Sequence, residues 1–193
     1  MESWPVLPDA RLASAGRASE AFLALGCADY RGAARALHQL PYGRNSDRAD
    51  FWRVLAERRG TCSTKHALLA ELAREQRLPV GLTIGIYDMC EANTPGVGRV
   101  LAEHGLASLP EAHCYLRHAG LRVDVTRADV IAAAPIEPFH REWTIEPSQI
   151  GAHKIELHHR HLRGWLREQR GLSLSFEELW RIREACIDAL RSD

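Results

Sequence analysis

The chain passes from a loop into a helix within residues 57–70, which read ERRGTCSTKHALLA. Gly60 is a turn signal and Thr61 a helix-capping residue, and apolar residues recur at helical spacing after Cys62. We therefore expect Cys62 in the first turn of a helix, where unpaired backbone N–H groups and the helix dipole favour a thiolate over a thiol. A thiolate is the nucleophilic form, so the pattern indicates a catalytic cysteine. The alternative is a small apolar residue that happens to open a helix.

The composition is that of an ordinary globular protein. The 193 residues are enough for one sizeable core, and 46% of them are hydrophobic and 26% charged. Basic and acidic residues balance at 25 each, which argues against nucleic acid or an anionic membrane surface as the main partner. Five cysteines without a C-x-x-C pair favour a reducing compartment over a disulfide framework. Because there is neither a secretory signal nor an apolar run of membrane-spanning length, we predict a cytoplasmic protein without a membrane segment.

Helical patterns at both ends of the chain enclose a middle that is rich in strand signals. The predicted helices cover residues 19–25, 29–40, 51–57 and 62–76, and two more lie within residues 155–193. The predicted strands cover residues 79–87, 112–116 and 121–125, and a weaker helix signal lies within residues 91–105. Residues 127–150 contain three prolines and are predicted to form a long surface loop. This order indicates a single α+β domain over residues 1–193.

A nucleophilic cysteine needs a base and a group that orients the base, and the predicted hairpin supplies both. A loop made of His118 and Ala119, or of the four residues 117–120, would place His113 directly opposite Asp124. Directly opposed side chains have Cβ atoms about 4.5–5.5 Å apart, within reach of an imidazole–carboxylate hydrogen bond. The sequence therefore predicts a site with Cys62 as nucleophile, His113 as base and Asp124 as the orienting carboxylate.

Three motifs resemble the transglutaminase-like branch of the papain-like cysteine enzymes, namely Gly60-Thr61-Cys62, residues 113–116 (HCYL) and residues 123–126 (VDVT). The resemblance covers roughly residues 57–126 and keeps the family's order of Cys, His and Asp. It implies a nucleophile-bearing helix packed on a small antiparallel sheet. It also implies a thioester intermediate and amide or peptide hydrolysis or acyl transfer, without a metal or other cofactor.

The sequence departs from this family at three positions. Lys65 and His66 stand where members often have an aromatic and then a small residue, and Cys114 stands where an aromatic or small apolar residue often follows the histidine. The fold implied by the resemblance is unaffected by these departures. The substrate class stays open between a small amide and a peptide or protein.

Three further residues are candidates for contacts with substrate. The backbone N–H of Cys62 would be one oxyanion donor, and the side chains of Tyr42 and Asn45 are candidates for the second. Ordinary turn chemistry is the alternative role for this polar loop. Trp143, in the predicted long loop, could either cover the cleft or anchor the loop to the core.

The other histidines, cysteines and arginines are predicted to lie outside the catalytic site. A zinc set of Cys62, His66, His113 and Cys114 is conceivable, but adjacent strand residues point to opposite faces, so we predict that Cys114 is a core residue. His66 is predicted at the surface or the core edge, and residues 158–161 (HHRH) on a solvated helix face. Arg117, Arg122 and Arg127 are predicted to be exposed. Two alternatives to an enzyme therefore remain, a non-catalytic binding or scaffold module with the same fold and a zinc-binding domain.

Overall fold

The structure is a computed structural model that describes residues 4–128 and 136–191. Its helices are α1 (Arg17–Ala24), α2 (Tyr30–His38), α3 (Arg53–Glu57), α4 (Cys62–Glu75), α5 (Gly98–Glu103), α6 (Ala152–Glu168) and α7 (Phe176–Ala189). Its strands are β1 (Gly81–Met89), β2 (Leu109–His118), β3 (Leu121–Val123) and β4 (Arg141–Ile145). Short 3-10 helices cover Trp4–Val6 and Pro147–Ile150. These elements confirm the α+β class.

Helix α4 is the central helix of the described residues. It begins at Cys62, as the sequence predicts, and the Thr64 hydroxyl accepts a hydrogen bond from the Thr61 backbone N–H at 3.0 Å. One face of α4 packs on β1 and β2, and the others meet α1, α2 and α3. Because a helix covered on every side excludes water, its polar side chains must find partners within the protein.

Four antiparallel strands form the sheet, in the order β3-β2-β1-β4. The two central strands pair over their whole length, and Gly85 of β1 lies opposite His113 of β2. Both strands are almost fully buried because helices and loops cover both faces. The position of His113 is therefore fixed by a long ladder rather than by a mobile loop.

The hairpin between β2 and β3 differs from the prediction by two residues. His118 pairs with Leu121, so Ala119 and Gly120 form the turn, and both have positive φ (49° and 77°). Positive φ at both central positions is typical of a type I′ turn, which favours glycine at the second position. His113 is therefore not directly opposite Asp124, which follows the last residue of β3. Because side chains alternate with a period of two, a shift of two residues keeps them on one face, and the predicted contact still forms.

The predicted loop over residues 127–150 is wrong in its last third. Residues 141–145 form β4 and pair with β1, with Trp143 opposite Ile84, and a 3-10 helix follows. The alternating Trp143-Thr144-Ile145 is a strand pattern, and β1 offers it a free edge to pair with. Residues 129–135, which belong to the same loop prediction, lie outside the described residues.

Two groups of buried apolar side chains meet beside the start of α4. The larger one joins α1, α2 and α4 to the sheet. The smaller one joins α5, α6 and α7 to the far ends of β1 and β2. Ser175 caps α7 and accepts a hydrogen bond from the Glu178 backbone N–H. Among the described helices, none combines the length and apolar character that crossing a bilayer requires.

Glu75 connects the end of α4 to the start of α1. Its carboxylate accepts hydrogen bonds from the backbone N–H groups of Ala18 at 2.8 Å and Ser19 at 2.7 Å. The first N–H groups of a helix have no partner within the helix, and a negative charge is favourable there. Glu75 therefore caps α1 from a distant part of the chain.

Replacing Glu75 by alanine is expected to lower the free energy of unfolding by about 1–3 kcal/mol, since two half-buried backbone donors lose a charged acceptor. Urea unfolding followed by circular dichroism measures the change. Glu103→Ala is the matched control, because its ion pair with Arg99 is exposed and is expected to matter little. Equal effects of the two variants would contradict the capping role.

Candidate active site

A cavity of about 1280 Å³ lies beside the first turn of α4. Its walls come from residues 42–49, the start of α4, strand β2 and helices α6 and α7. Cys62 lines the cavity and is 8% exposed. The predicted nucleophile is thus mostly buried, but it faces a space large enough for a substrate.

The structure brings the three predicted residues together. The Nε2 atom of His113 donates a hydrogen bond to Asp124 Oδ2 at 2.5 Å. The other ring nitrogen, Nδ1, is then the one that can face the neighbouring Cys62 side chain. The second carboxylate oxygen of Asp124 accepts hydrogen bonds from the backbone N–H of Thr126 at 2.8 Å and from its hydroxyl at 2.5 Å. Asp124 is therefore held in the orientation that an imidazole-orienting carboxylate needs.

The charges of these groups stabilise one another. The Cys114 thiol, the Lys154 ammonium and the His113 ring all lie near the Cys62 sulfur and favour its charged form, so the pKa of Cys62 is held well below its ordinary value despite burial. Burial disfavours the charged imidazole, but the charges of Asp124 and Cys62 outweigh it and raise the pKa of His113 to about 10. At neutral pH the site therefore holds a thiolate beside an imidazolium.

Cys114 is a core residue, as predicted, and also a neighbour of the nucleophile. It is fully buried, and its thiol lies beside the Cys62 side chain. This contact and burial raise the pKa of Cys114 well above its ordinary value, so Cys114 keeps its proton. The pair therefore consists of one thiolate and one thiol.

His66 is a fully buried residue rather than the surface or core-edge residue that was predicted. Its Nε2 accepts a hydrogen bond from the Val125 backbone N–H at 2.8 Å, so Nδ1 carries the proton and donates to the Cys62 carbonyl at 2.7 Å. Burial lowers the pKa of His66, which keeps the ring neutral. The ring ties the first residue of α4 to the segment that carries Asp124. Since both ring nitrogens are occupied, His66 does not form the metal pair that its spacing from Cys62 suggested.

Tyr42 is held beside the start of α4. The chain next to it pairs with Gly60 in a short parallel bridge, and Gly43 N–H donates to the Gly60 carbonyl at 3.2 Å. Tyr42 lines the cavity, and burial and the nearby charge of Cys62 raise its pKa. Its hydroxyl therefore stays neutral and able to donate a hydrogen bond.

Asn45, which lines the cavity, and Trp143 are both held by contacts within the protein. Both amide hydrogens of Asn45 are used, since Nδ2 donates to Glu57 Oε2 at 3.1 Å and to the Arg59 carbonyl at 3.0 Å. Its oxygen accepts a hydrogen bond from the Thr64 hydroxyl at 2.8 Å, so Asn45 braces the loop against α4. Trp143 packs against the larger core from β4 and is not among the residues that line the cavity.

Helix α6 contributes residues that the sequence reasoning missed. Lys154 Nζ donates a hydrogen bond to Ser63 Oγ at 2.6 Å and lies 3.9 Å from Cys62 Sγ. The sequence predicts that this helix begins at residue 155, which leaves Lys154 outside it. Its spacing of four from His158 places the two on one helix face, and that pattern was the available signal.

The predicted solvated face of α6 is wrong for His158. His158 is 1% exposed because α7 covers this side of α6, and its Nε2 donates to the Pro110 carbonyl at 2.9 Å. Burial lowers the pKa of His158 to about 4. Beneath it, Glu111 forms a two-point ion pair with Arg183 at 2.6 and 2.5 Å. A buried, paired carboxylate thus forms part of the cavity wall two residues before His113.

Two of the arginines predicted to be exposed are drawn into the cavity wall. Arg122 donates to the Ile136 carbonyl at 2.6 Å, and Arg127 donates to the Pro95 carbonyl at 3.0 Å. Arg117 remains at the surface, where it pairs with Glu142 of β4. The sequence does not show that the segments containing Ile136 and Pro95 lie beside these arginines, which explains why both were predicted to be exposed.

Comparisons with protein-family models, curated protein sequences and solved structures gave no match to this chain. The class of the protein is therefore defined by its own fold and site. It is an α+β protein in which a cysteine, a histidine and an aspartate meet beside a cavity. Among the described residues, no group of three or more His, Cys, Asp or Glu side chains is arranged to hold a metal ion.

Replacing Asp124 by asparagine is expected to lower the pKa of His113 from about 10 towards or below about 6.5, since the charge that opposes burial is lost. Histidine-selective ¹⁵N NMR across a pH titration reads this value. Asp47→Asn is the control, because Asp47 also lines the cavity but its carboxylate binds the Ala49 backbone N–H. A His113 titration that is unchanged in Asp124→Asn would contradict the electrostatic assignment.

The charged pair also gives stability a particular dependence on pH. In an unfolded chain His113 loses its proton near pH 6.5 and Cys62 near about 8.5. The raised pKa of His113 stabilises the fold fully below about pH 6.5, and this contribution is lost as pH rises towards about 10. The lowered pKa of Cys62 stabilises the fold fully above about pH 8.5, and this contribution is lost as pH falls.

Between about pH 6.5 and 8.5 the contribution of His113 falls with pH while that of Cys62 rises, and the two changes cancel. The pair is therefore expected to stabilise the fold most in this range and less on either side. Urea unfolding at a series of pH values tests this for the wild type against Cys62→Ala/His113→Gln, which removes both titrations. The difference between the two curves should show a maximum in that window. A difference that rises or falls steadily with pH would show that the thiolate–imidazolium pair does not form.

Proposed function

We propose that this protein is a cysteine-dependent enzyme that hydrolyses amide or peptide bonds, or transfers their acyl groups, in a transglutaminase-like core. One observation carries the proposal. The Cys62 side chain lies beside the imidazole of His113, whose Nε2 is 2.5 Å from Asp124 Oδ2, and all three residues line an open cavity. Cysteine nucleophiles require this order of groups, with a base next to the sulfur and a carboxylate behind the base.

The mechanism follows from the charges. The Cys62 thiolate attacks the carbonyl carbon, a C–S bond forms, and the C=O electron pair moves to the oxygen. The imidazolium of His113 gives its proton to the leaving nitrogen as the C–N bond breaks, which leaves a thioester on Cys62. Water or an amine then attacks the thioester, His113 accepts the proton of that nucleophile, and the thiolate leaves. The backbone N–H of Cys62, at the start of α4, is placed to stabilise the oxyanion.

The size and lining of the cavity support a substrate larger than a single metabolite. Small-molecule sites commonly occupy about 300–1000 Å³, and this cavity is larger. Apolar side chains of Ile150, Ile155 and Ile187 share its walls with several arginines. A peptide or protein segment suits such a mixed surface better than a small amide.

Access to the thiol favours an enzyme over a scaffold. A binding module with the same fold has no need of an open space beside the nucleophile, whereas Cys62 here lines the cavity together with His113 and Asp124. The zinc-binding alternative gains no support from His66, whose two nitrogens are bound to backbone groups.

Iodoacetamide alkylation at pH 6, followed by mass spectrometry of each cysteine peptide, tests the proposal. Cys62 is expected to react at least about 10-fold faster than Cys27, because a cysteine of ordinary pKa is almost entirely a thiol at this pH. Cys27 is the internal control, since it is more exposed than Cys62 and burial and the nearby Asp29 raise its pKa.

His113→Gln should remove most of this advantage, and Cys62→Ala should abolish the acylation of the protein by an activated ester such as p-nitrophenyl acetate. Arg99→Gln is the control variant, because Arg99 is exposed on α5 and lies outside the cavity wall. If Cys62 reacts no faster than Cys27 and His113→Gln changes nothing, the proposed function is wrong.

A further inference from the structure

We propose that Lys154 is a catalytic residue of this site, and that its ammonium group donates a hydrogen bond to the oxyanion formed when Cys62 attacks a carbonyl. The inference rests on the proposed function and adds the second oxyanion donor that the reaction needs. It assigns this role to a residue 92 positions away from the cysteine in sequence.

The position of the ammonium group is fixed by the start of α4. Lys154 Nζ donates to the hydroxyl of Ser63, the residue after the nucleophile, at 2.6 Å. Both side chains line the cavity, and both residues are only 7% exposed. Because Lys154 lies in the first turn of α6 and Ser63 in the first turn of α4, two helix starts hold the nitrogen in place.

The distance from the sulfur suits an oxyanion donor. Lys154 Nζ lies 3.9 Å from Cys62 Sγ, which is long for a hydrogen bond to sulfur. In the tetrahedral intermediate the oxyanion is two bonds from that sulfur and projects into the cavity. An ammonium at this separation can therefore reach the spacing of about 2.7–3.1 Å that oxyanion donors have.

Lys154 has donor capacity that its protein partners leave unused. An ammonium group has three N–H donors, and among the described residues its one short hydrogen bond is to Ser63. The nearest carboxylate on β2, Glu111, is already engaged at two points by Arg183. A buried cation normally has a full set of partners, so a negative oxygen in the cavity would complete this one.

Lys154 is a cation rather than a base. Burial and the charge of Arg183 lower the pKa of Lys154, but the nearby sulfurs of Cys114 and Cys62 and the carboxylate of Glu111 outweigh them and raise it. A protonated Lys154 cannot take a proton from Ser63, so the close Ser63–Lys154 contact is not a serine–lysine nucleophile pair. A protonated amine also cannot attack the thioester beside it, which protects the intermediate from self-acylation.

Other candidate donors fit less well. Both amide hydrogens of Asn45 are bound to Glu57 and Arg59. The Tyr42 hydroxyl can donate, but it carries no charge. A charged donor stabilises an oxyanion more than a neutral one, since hydrogen bonds to ionised groups are roughly twice as strong.

Two reagents separate an oxyanion donor from a residue that merely stabilises the thiolate. Alkylation of Cys62 by iodoacetamide forms no oxyanion, whereas acylation by p-nitrophenyl acetate does. In Lys154→Met the rate constant of acylation at high pH, where Cys62 is fully ionised, is expected to fall about 10²–10³-fold. The corresponding rate constant of alkylation should change by no more than a few-fold. Arg160→Met is the matched control, because it removes an exposed cation from the same helix.

Chemical rescue tests the role without relying on one variant. In Lys154→Ala, added propylammonium should restore part of the p-nitrophenolate burst, which reports acylation alone, and it should not affect alkylation. Ser63→Ala keeps the ammonium but loses its anchor, so a smaller loss of acylation with unchanged alkylation is expected. Thermal unfolding of each variant establishes that it is folded.

The outcomes distinguish the two proposals. A wild-type protein that is not acylated at Cys62 overturns the proposed function, and this inference with it. A wild type that is acylated, with Lys154→Met slowed equally in acylation and alkylation or in neither, overturns the inference alone. A selective loss of acylation that propylammonium restores supports it.

Discussion

The contact between the first turn of α4 and the middle of β2 is the constraint around which the site is built. It places a thiolate against an imidazolium in a mostly buried position, where opposite charges attract strongly and an unpaired charge would be costly. Asp124 supplies the negative charge behind the imidazole, and its own pKa is held well below the usual range mainly by His113 despite burial. Each member of the site is therefore stable in its charged form only because the others are present.

Three consecutive polar side chains of α4 hold this contact in place. Thr64 binds the side chain of Asn45 in the loop before the helix. Lys65 donates to the carbonyls of Leu40 and Thr126, and His66 binds the backbone of Val125. Through these hydrogen bonds, α4 binds chain segments on both sides of the site. This accounts for a lysine and a histidine on a buried helix, since both bind backbone groups that would otherwise be buried without partners.

The sequence predicts those features that depend on local signals. The start of α4 at Cys62 follows from Gly60, Thr61 and helical periodicity, and the contact between His113 and Asp124 survives a two-residue error in the turn because the face is preserved. Features that depend on distant partners are missed. Strand β4 forms because β1 has an edge with which it can pair, and Lys154 enters the site because the start of α6 lies against the start of α4. Periodicity identifies a strand or a helix face, but the partner of that face is set by tertiary packing.

The presence of two cations beside one sulfur has a chemical consequence. Lowering the pKa of a thiol increases the fraction of thiolate but reduces the nucleophilicity of that thiolate. A cation that stabilised only the sulfur would therefore increase the fraction of thiolate but would also make that thiolate less reactive. During attack the negative charge moves from the sulfur to the carbonyl oxygen. Only a donor that can also hydrogen-bond to this oxygen lowers the barrier. His113 cannot donate to the oxygen, because the leaving nitrogen needs its proton. Lys154, anchored to Ser63 and 3.9 Å from the sulfur, is the cation that can transfer its interaction to the oxygen.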